Sequence, residues 1–146
     1  MKHMVGMIMS LISGALMSVQ GVFNTRVTEG AGVWLTNAIV QGTAFIVCMI
    51  ALWITKDGNW AGLAGVNKLY LLGGVIGAGI TYTVIHGISA LGPAYAIMLI
   101  LISQMIVAYL IELLGWFGAE SSGFDWFKLI GVGLMIGGII VFQWDK

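Results

Sequence analysis

The chain has 146 residues, 60% of them hydrophobic and only 8% charged, with six basic and six acidic side chains. Soluble domains carry about 25% charged residues, so this composition would leave a water-exposed surface apolar enough to aggregate. It is the composition of an integral membrane protein. Zero net charge leaves no basic patch for nucleic acid. Cys48 is the single cysteine, which excludes an intrachain disulfide, and only His3 and His86 could join it in a zinc site.

A helix needs about 20 apolar residues to cross the hydrocarbon core. Five runs qualify: Met4–Asn24, Val33–Thr55, Leu69–Ala90, Ala94–Leu114 and Trp126–Trp144. They are continuously apolar rather than alternating, which argues against a β-barrel. The first follows Lys2 like a signal peptide, yet it is long and ends in Gln20, Asn24 and Arg26 without a small-x-small cleavage site. Trp34 and Trp53 bracket the second run and Trp126 and Trp144 the fifth, as expected of indole anchors at the headgroup level.

The predicted connections are short. They contain Thr28-Glu29-Gly30, Lys56-Asp57-Gly58-Asn59, Leu91-Gly92-Pro93 and Gly118-Ala119-Glu120-Ser121-Ser122-Gly123. Pro93 suits the first turn of the fourth helix, making the third and fourth helices a tight antiparallel hairpin. No linker separates two domains, so residues 1–146 are expected to form a single transmembrane domain. Five crossings put Lys2, Lys56, Lys68 and Lys128 on one side and Arg26 and Lys146 on the other. The positive-inside rule then favours a cytoplasmic N-terminus only slightly, and insertion in both orientations is open.

Polar side chains inside the spans are costly and face a cavity or another helix. The first helix carries Ser10, Ser13, Gln20 and Asn24 at helical spacing, with Met17 between them. The second carries Asn37 and Gln41, continued by Ala44 and Cys48; the third Tyr82, His86 and Ser89; the fourth Gln104, Tyr109 and Glu112. Gln20, Asn24, Asn37, Gln41, Tyr82, His86 and Gln104 are therefore the candidate lining of a substrate pathway, with interhelical hydrogen bonding as the alternative. Glu112 is the one carboxylate within a predicted span, near its end, and is a coupling candidate as well as a group able to reach water. His86 could exchange protons near neutral pH or simply be hydrogen-bonded. Arg26 either snorkels to the interface or contacts an anion. The fifth helix has no polar residue between Lys128 and Gln143, and Gly133, Gly137 and Gly138 form a small-residue ridge suited to packing or dimerisation. No nucleotide loop, nucleophile–base pair or metal cluster is apparent, so neither an enzyme nor a cofactor is expected.

These features resemble the drug/metabolite transporter superfamily: Gly73-Gly74 through Gly92-Pro93-Ala94, and the glycine-rich last helix from Leu129 to Val141. The whole chain resembles the half-length, five-helix YdcZ-like family. That family closes its first helix with Gln-x-x-x-Asn-x-Arg, here Gln20, Asn24 and Arg26. It follows a fourth-helix Gln with an acidic residue and Gly-x-x-Gly, here Gln104, Glu112, Gly115 and Gly118. The acidic position is more often Asp in the family. The resemblance implies one half of a ten-helix inverted-repeat fold in the bacterial inner membrane. Two oppositely inserted copies, or a paired homologous subunit, would complete a pathway for a small molecule. A small ion channel and a non-transporting structural or regulatory subunit are the alternatives. The related small multidrug resistance proteins use a first-helix glutamate, and the predicted first helix has no carboxylate.

Overall fold

The computed structural model describes residues 2–144; Lys146, counted in the charge balance, lies outside them. Most of the described residues are helical, with no strand among them. The helices are α1 (Lys2–Ala31), α2 (Val33–Thr55), the short α3 (Trp60–Ala64), α4 (Gly73–Leu91), α5 (Pro93–Leu114) and α6 (Trp126–Phe142). Single 3₁₀ turns occupy Lys68–Leu72 and Trp116–Gly118. Among the described residues, four stretches are long and apolar enough to cross a membrane: α1, α2, Lys68–Leu91 and α5. α6 is a shorter apolar helix of 17 residues, about 26 Å long at 1.5 Å per residue. That sits at the lower limit for a crossing. The chain divides into two compact units, Met1–Ala90 and Leu91–Lys146.

The first unit is organised by α1, α2 and α4. Thr28, Glu29 and Gly30, expected in a connection, are instead the last turn of α1, and the link to α2 is Gly32 alone. Gly32 has φ 77° and ψ 158°, a conformation essentially restricted to glycine. It lets the chain reverse in one residue. The hydroxyls then secure the reversal. The fully buried Thr36 donates to Gly32 O at 2.8 Å, and Thr28 Oγ1 lies 3.1 Å from Thr36 Oγ1. Because α1 continues to Ala31, it does carry a carboxylate, Glu29, in its final turn. α4 approaches α1 at Gly21, where a Cβ would meet Ile88 Cδ1 at 2.8 Å; Ile85 and Ile88 are buried.

The second connection, residues 56–67, is not bare loop but carries the short helix α3. After Lys56, in the left-handed region, Asn59 accepts from Gly62 N at 2.8 Å and starts α3, and Asn67 accepts from Leu69 N at 3.0 Å. The predicted third helix therefore begins as a 3₁₀ turn and becomes α-helical at Gly73.

In the second unit Pro93 occupies the first turn of α5, as expected, directly after Gly92 at φ 78° and ψ 160°. α5 ends at Gly115, whose N–H donates to Ile111 O. Asp125 starts α6 by accepting from Phe127 N at 2.8 Å. The helix ends at Phe142, two residues short of the expected Trp144.

Candidate functional site: an uncharged groove and two polar contacts

The apolar runs leave α1 and α2 few polar groups, and some of them meet between the two helices. An open groove of about 680 Å³ runs between the two helices, lined among others by Ser13, Met17, Gln20, Asn24, Thr43 and Cys48. None of its lining residues is charged. Asn24 is 8% exposed and reaches the groove from a nearly buried position, whereas Gln20 is exposed. Of the predicted pathway residues, the groove holds Gln20 and Asn24. Ala44 and Cys48, the continuation of the α2 stripe, line it as well.

Asn37 and Gln41 make a different contact, with α4. Asn37, buried, donates from Nδ2 to Ala78 O at 2.8 Å, and Gln41 Nε2 lies 3.4 Å from Thr81 Oγ1. The α2 stripe thus divides: one part is bonded to α4 while the other borders the groove. Asn37 Oδ1 is buried without a hydrogen-bond partner among the described residues. The amide orientation follows from chemistry, because a backbone carbonyl can only accept. One turn before Asn37, Trp34 stacks on Tyr82 with ring centroids 5.2 Å apart, and Tyr82 meets His86 at 4.5 Å. Trp34, read from sequence as an interface anchor alone, is also part of this aromatic row. The missed signal was its spacing of three residues from Asn37, which places both on one face of α2.

The second unit carries the third polar group. Lys128 Nζ is 2.7 Å from Glu112 Oε2, 3.4 Å from Ser122 Oγ and 5.1 Å from the centroid of Tyr109. The Tyr109 hydroxyl accepts from Asp125 N at 2.8 Å, and Ser122 N donates to Glu112 O at 3.1 Å. Glu112 is therefore ion-paired. Its partner was legible in the spacing: Glu112 lies two residues before the end of α5 and Lys128 two residues after the start of α6. Equal distances from one connection bring the two level. Gln104 lies exposed on α5.

Arg26 pairs with Glu29 at 3.0 Å, both side chains well exposed. Gly133, Gly137 and Gly138 have nothing within 4 Å of an added Cβ. No group of three or more potential metal ligands occurs among the described residues.

Long apolar helices that carry sparse, mostly uncharged polar groups define a multi-pass membrane protein. The chain belongs to the family described as "Putative inner membrane exporter, YdcZ", whose model matches residues 5–141. It is accordingly an inner-membrane protein and, at the level of its family, a transporter rather than an enzyme. Neither the curated proteins nor the solved structures gave a significant match.

Proposed function

We propose that the chain is half of a secondary transporter. Two copies, inserted in opposite orientations, would export a small polar or amphipathic metabolite by alternating access. In this reading α1, α2, α4, α5 and α6 all cross the membrane, and the two compact units act as one transmembrane domain. Each copy then supplies five helices of a ten-helix inverted repeat, with the substrate near the midplane. The observation that carries the proposal is the uncharged groove holding Gln20 and Asn24 between two membrane-spanning helices. Polar groups at that depth are expensive unless they serve a partner or a pathway.

The residue roles follow. Gln20 and Asn24 contact the substrate, with Gln104 adding a further amide from α5. Asn37, Gln41, Tyr82 and His86 form the flank of the pathway that holds α2 on α4. Their bonds to Ala78 and Thr81 also favour interhelical support at Asn37 and Gln41, the reading in which they never touch substrate. Glu112 couples transport through exchange of its Lys128 partner, and Arg26 attracts anions at the pathway mouth. The open ridge at Gly133, Gly137 and Gly138 packs on the opposite copy. The weak four-to-two bias of lysine and arginine leaves insertion both ways open.

The test uses proteoliposomes loaded with a panel of radiolabelled amino acids, amines and nucleosides. The wild-type protein should release at least one compound faster than empty liposomes, and Gln20→Leu should abolish that release while remaining dimeric. Release by Gln20→Leu at the wild-type rate would remove Gln20 from the mechanism. Release of no compound at all would contradict the transporter reading.

A further inference from the structure

We infer that the α1–α2 groove takes an amphipathic molecule with an apolar chain and an uncharged hydrogen-bonding head, entering sideways from the bilayer. This rests on the transporter reading and narrows its substrate class.

The first observation is polarity. The groove has no charged residue on its wall, so an ionic head would be desolvated there with nothing to pair it. Its polar groups are amides, hydroxyls and one thiol, which offer hydrogen bonds and no net charge. The second is placement of the amides. Asn24 is more than nine-tenths buried yet lines the groove, and Gln20 lies one turn away on the same helix. Among the described residues no hydrogen bond engages either side-chain amide. Amides placed in that way within an apolar span call for a partner from outside the chain. The third is the remaining wall. Leu16, Val19 and Val47 border the groove and stay largely exposed. Along α1 the lining extends from Ser13 to Asn24, about 16 Å of helix, long enough for a chain lying along the membrane normal. Both helices are membrane spans, so an opening at this depth gives onto hydrocarbon rather than water. A chain can then slide in from the lipid while its head seats at Gln20 and Asn24.

Cys48 borders the groove and is exposed, which makes it a native reporter. The protein is placed in phosphatidylcholine nanodiscs, and the rate of Cys48 modification by N-ethylmaleimide is followed. The probes are monooleoylglycerol, oleoyl-lysophosphatidylglycerol with the same chain and an anionic head, and glycerol alone. Monooleoylglycerol should slow modification in a saturable way, and the other two should not. The double variant Gln20→Leu/Asn24→Leu should need roughly tenfold more monooleoylglycerol for the same protection, the loss expected from two modest hydrogen bonds. Ile50→Cys in a Cys48→Ala background, with its thiol outside the groove, should show no protection.

Equal protection by both oleoyl probes would overturn the uncharged head, and absence of protection from either would overturn the site. Slow modification in every sample, relieved when dimers are dissociated, would mean that a second copy fills the groove, and would overturn it too. If protection fails while Gln20-dependent release from proteoliposomes persists, the inference falls and the transporter reading stands. If protection holds but no compound is released, the reverse is true.

Discussion

Gly32 carries the reversal between α1 and α2 by itself. Its backbone lies where a Cβ is strained, a cost of about 1–3 kcal/mol for other residues. Gly32→Ala should therefore lower the stability of the purified protein by that amount in a denaturant or thermal titration. Gly30→Ala, two residues earlier in helical conformation with open space around it, should be neutral or gain up to about 1 kcal/mol. If the two alanines behave alike, the one-residue turn is wrong. Asn37 makes the opposite kind of prediction. Its bond to Ala78 O is worth about 1 kcal/mol, but its buried Oδ1 has no partner, a penalty of about 1–3 kcal/mol. Asn37→Leu removes both, so stability should hold or rise by up to about 2 kcal/mol; a large loss would mean that Oδ1 has found a donor. At this scale the sequence was partly legible. Helical spacing picked out Gln20 and Asn24, which do share the groove. It placed Asn37 and Gln41 with Ala44 and Cys48 as one stripe, because the 3.6-residue period cannot say which neighbour each part of a face will meet.

At the scale of elements, composition determined what crosses the membrane, and capping chemistry determined where helices end. The interiors of the predicted spans are helical because only a helix satisfies a segment's backbone within the segment itself, and continuous apolar runs do not suit a barrel. The ends were less legible. Polar Thr28 and Glu29 looked like loop, yet continue α1 because Thr28 donates to Asn24 O and Glu29 pairs with Arg26 on the same helix. The α2–α4 connection holds α3 and a 3₁₀ start because Asn59 and Asn67 each bond a backbone N–H two or three residues on, a local preference easily mistaken for simple loop polarity. Glu112 and Lys128 give this scale its test. If they act as a pair, Glu112→Lys and Lys128→Glu should each disrupt α5–α6 packing, seen as faster protease cleavage in the 115–125 connection. The double exchange should restore protection. Two single variants with wild-type cleavage rates would show that the pair does not hold α6 in place.

At the scale of the molecule, the described residues hold four long spans and one shorter apolar helix; the proposed five crossings would be half of an inverted-repeat transporter. The weak four-to-two bias of positive charge leaves a second, oppositely inserted copy open as the proposed completion. The glycine ridge on α6, open along Gly133, Gly137 and Gly138, supplies a face on which backbones can approach closely. Bulk there should weaken association without altering the groove: Gly137→Leu should shift the dimer toward monomer in detergent sedimentation, while Cys48 keeps its reactivity in the monomer. An unchanged sedimentation profile would place the interface elsewhere. The membrane class was legible from composition, and run length found the four long spans; the fifth run forms a shorter apolar helix. Partnership was not, since the sequence offers a face but never its occupant.

Antiparallel assembly is the central claim, and orientation tests it most directly. A Lys146→Cys substitution in a Cys48→Ala background would be labelled in intact cells with a membrane-impermeant maleimide, before and after permeabilisation. The account predicts that about half of the chains label before permeabilisation and all of them after, as equal insertion in both orientations requires. Labelling confined to one side of the membrane would contradict it and would leave a parallel assembly or an oppositely inserted partner subunit.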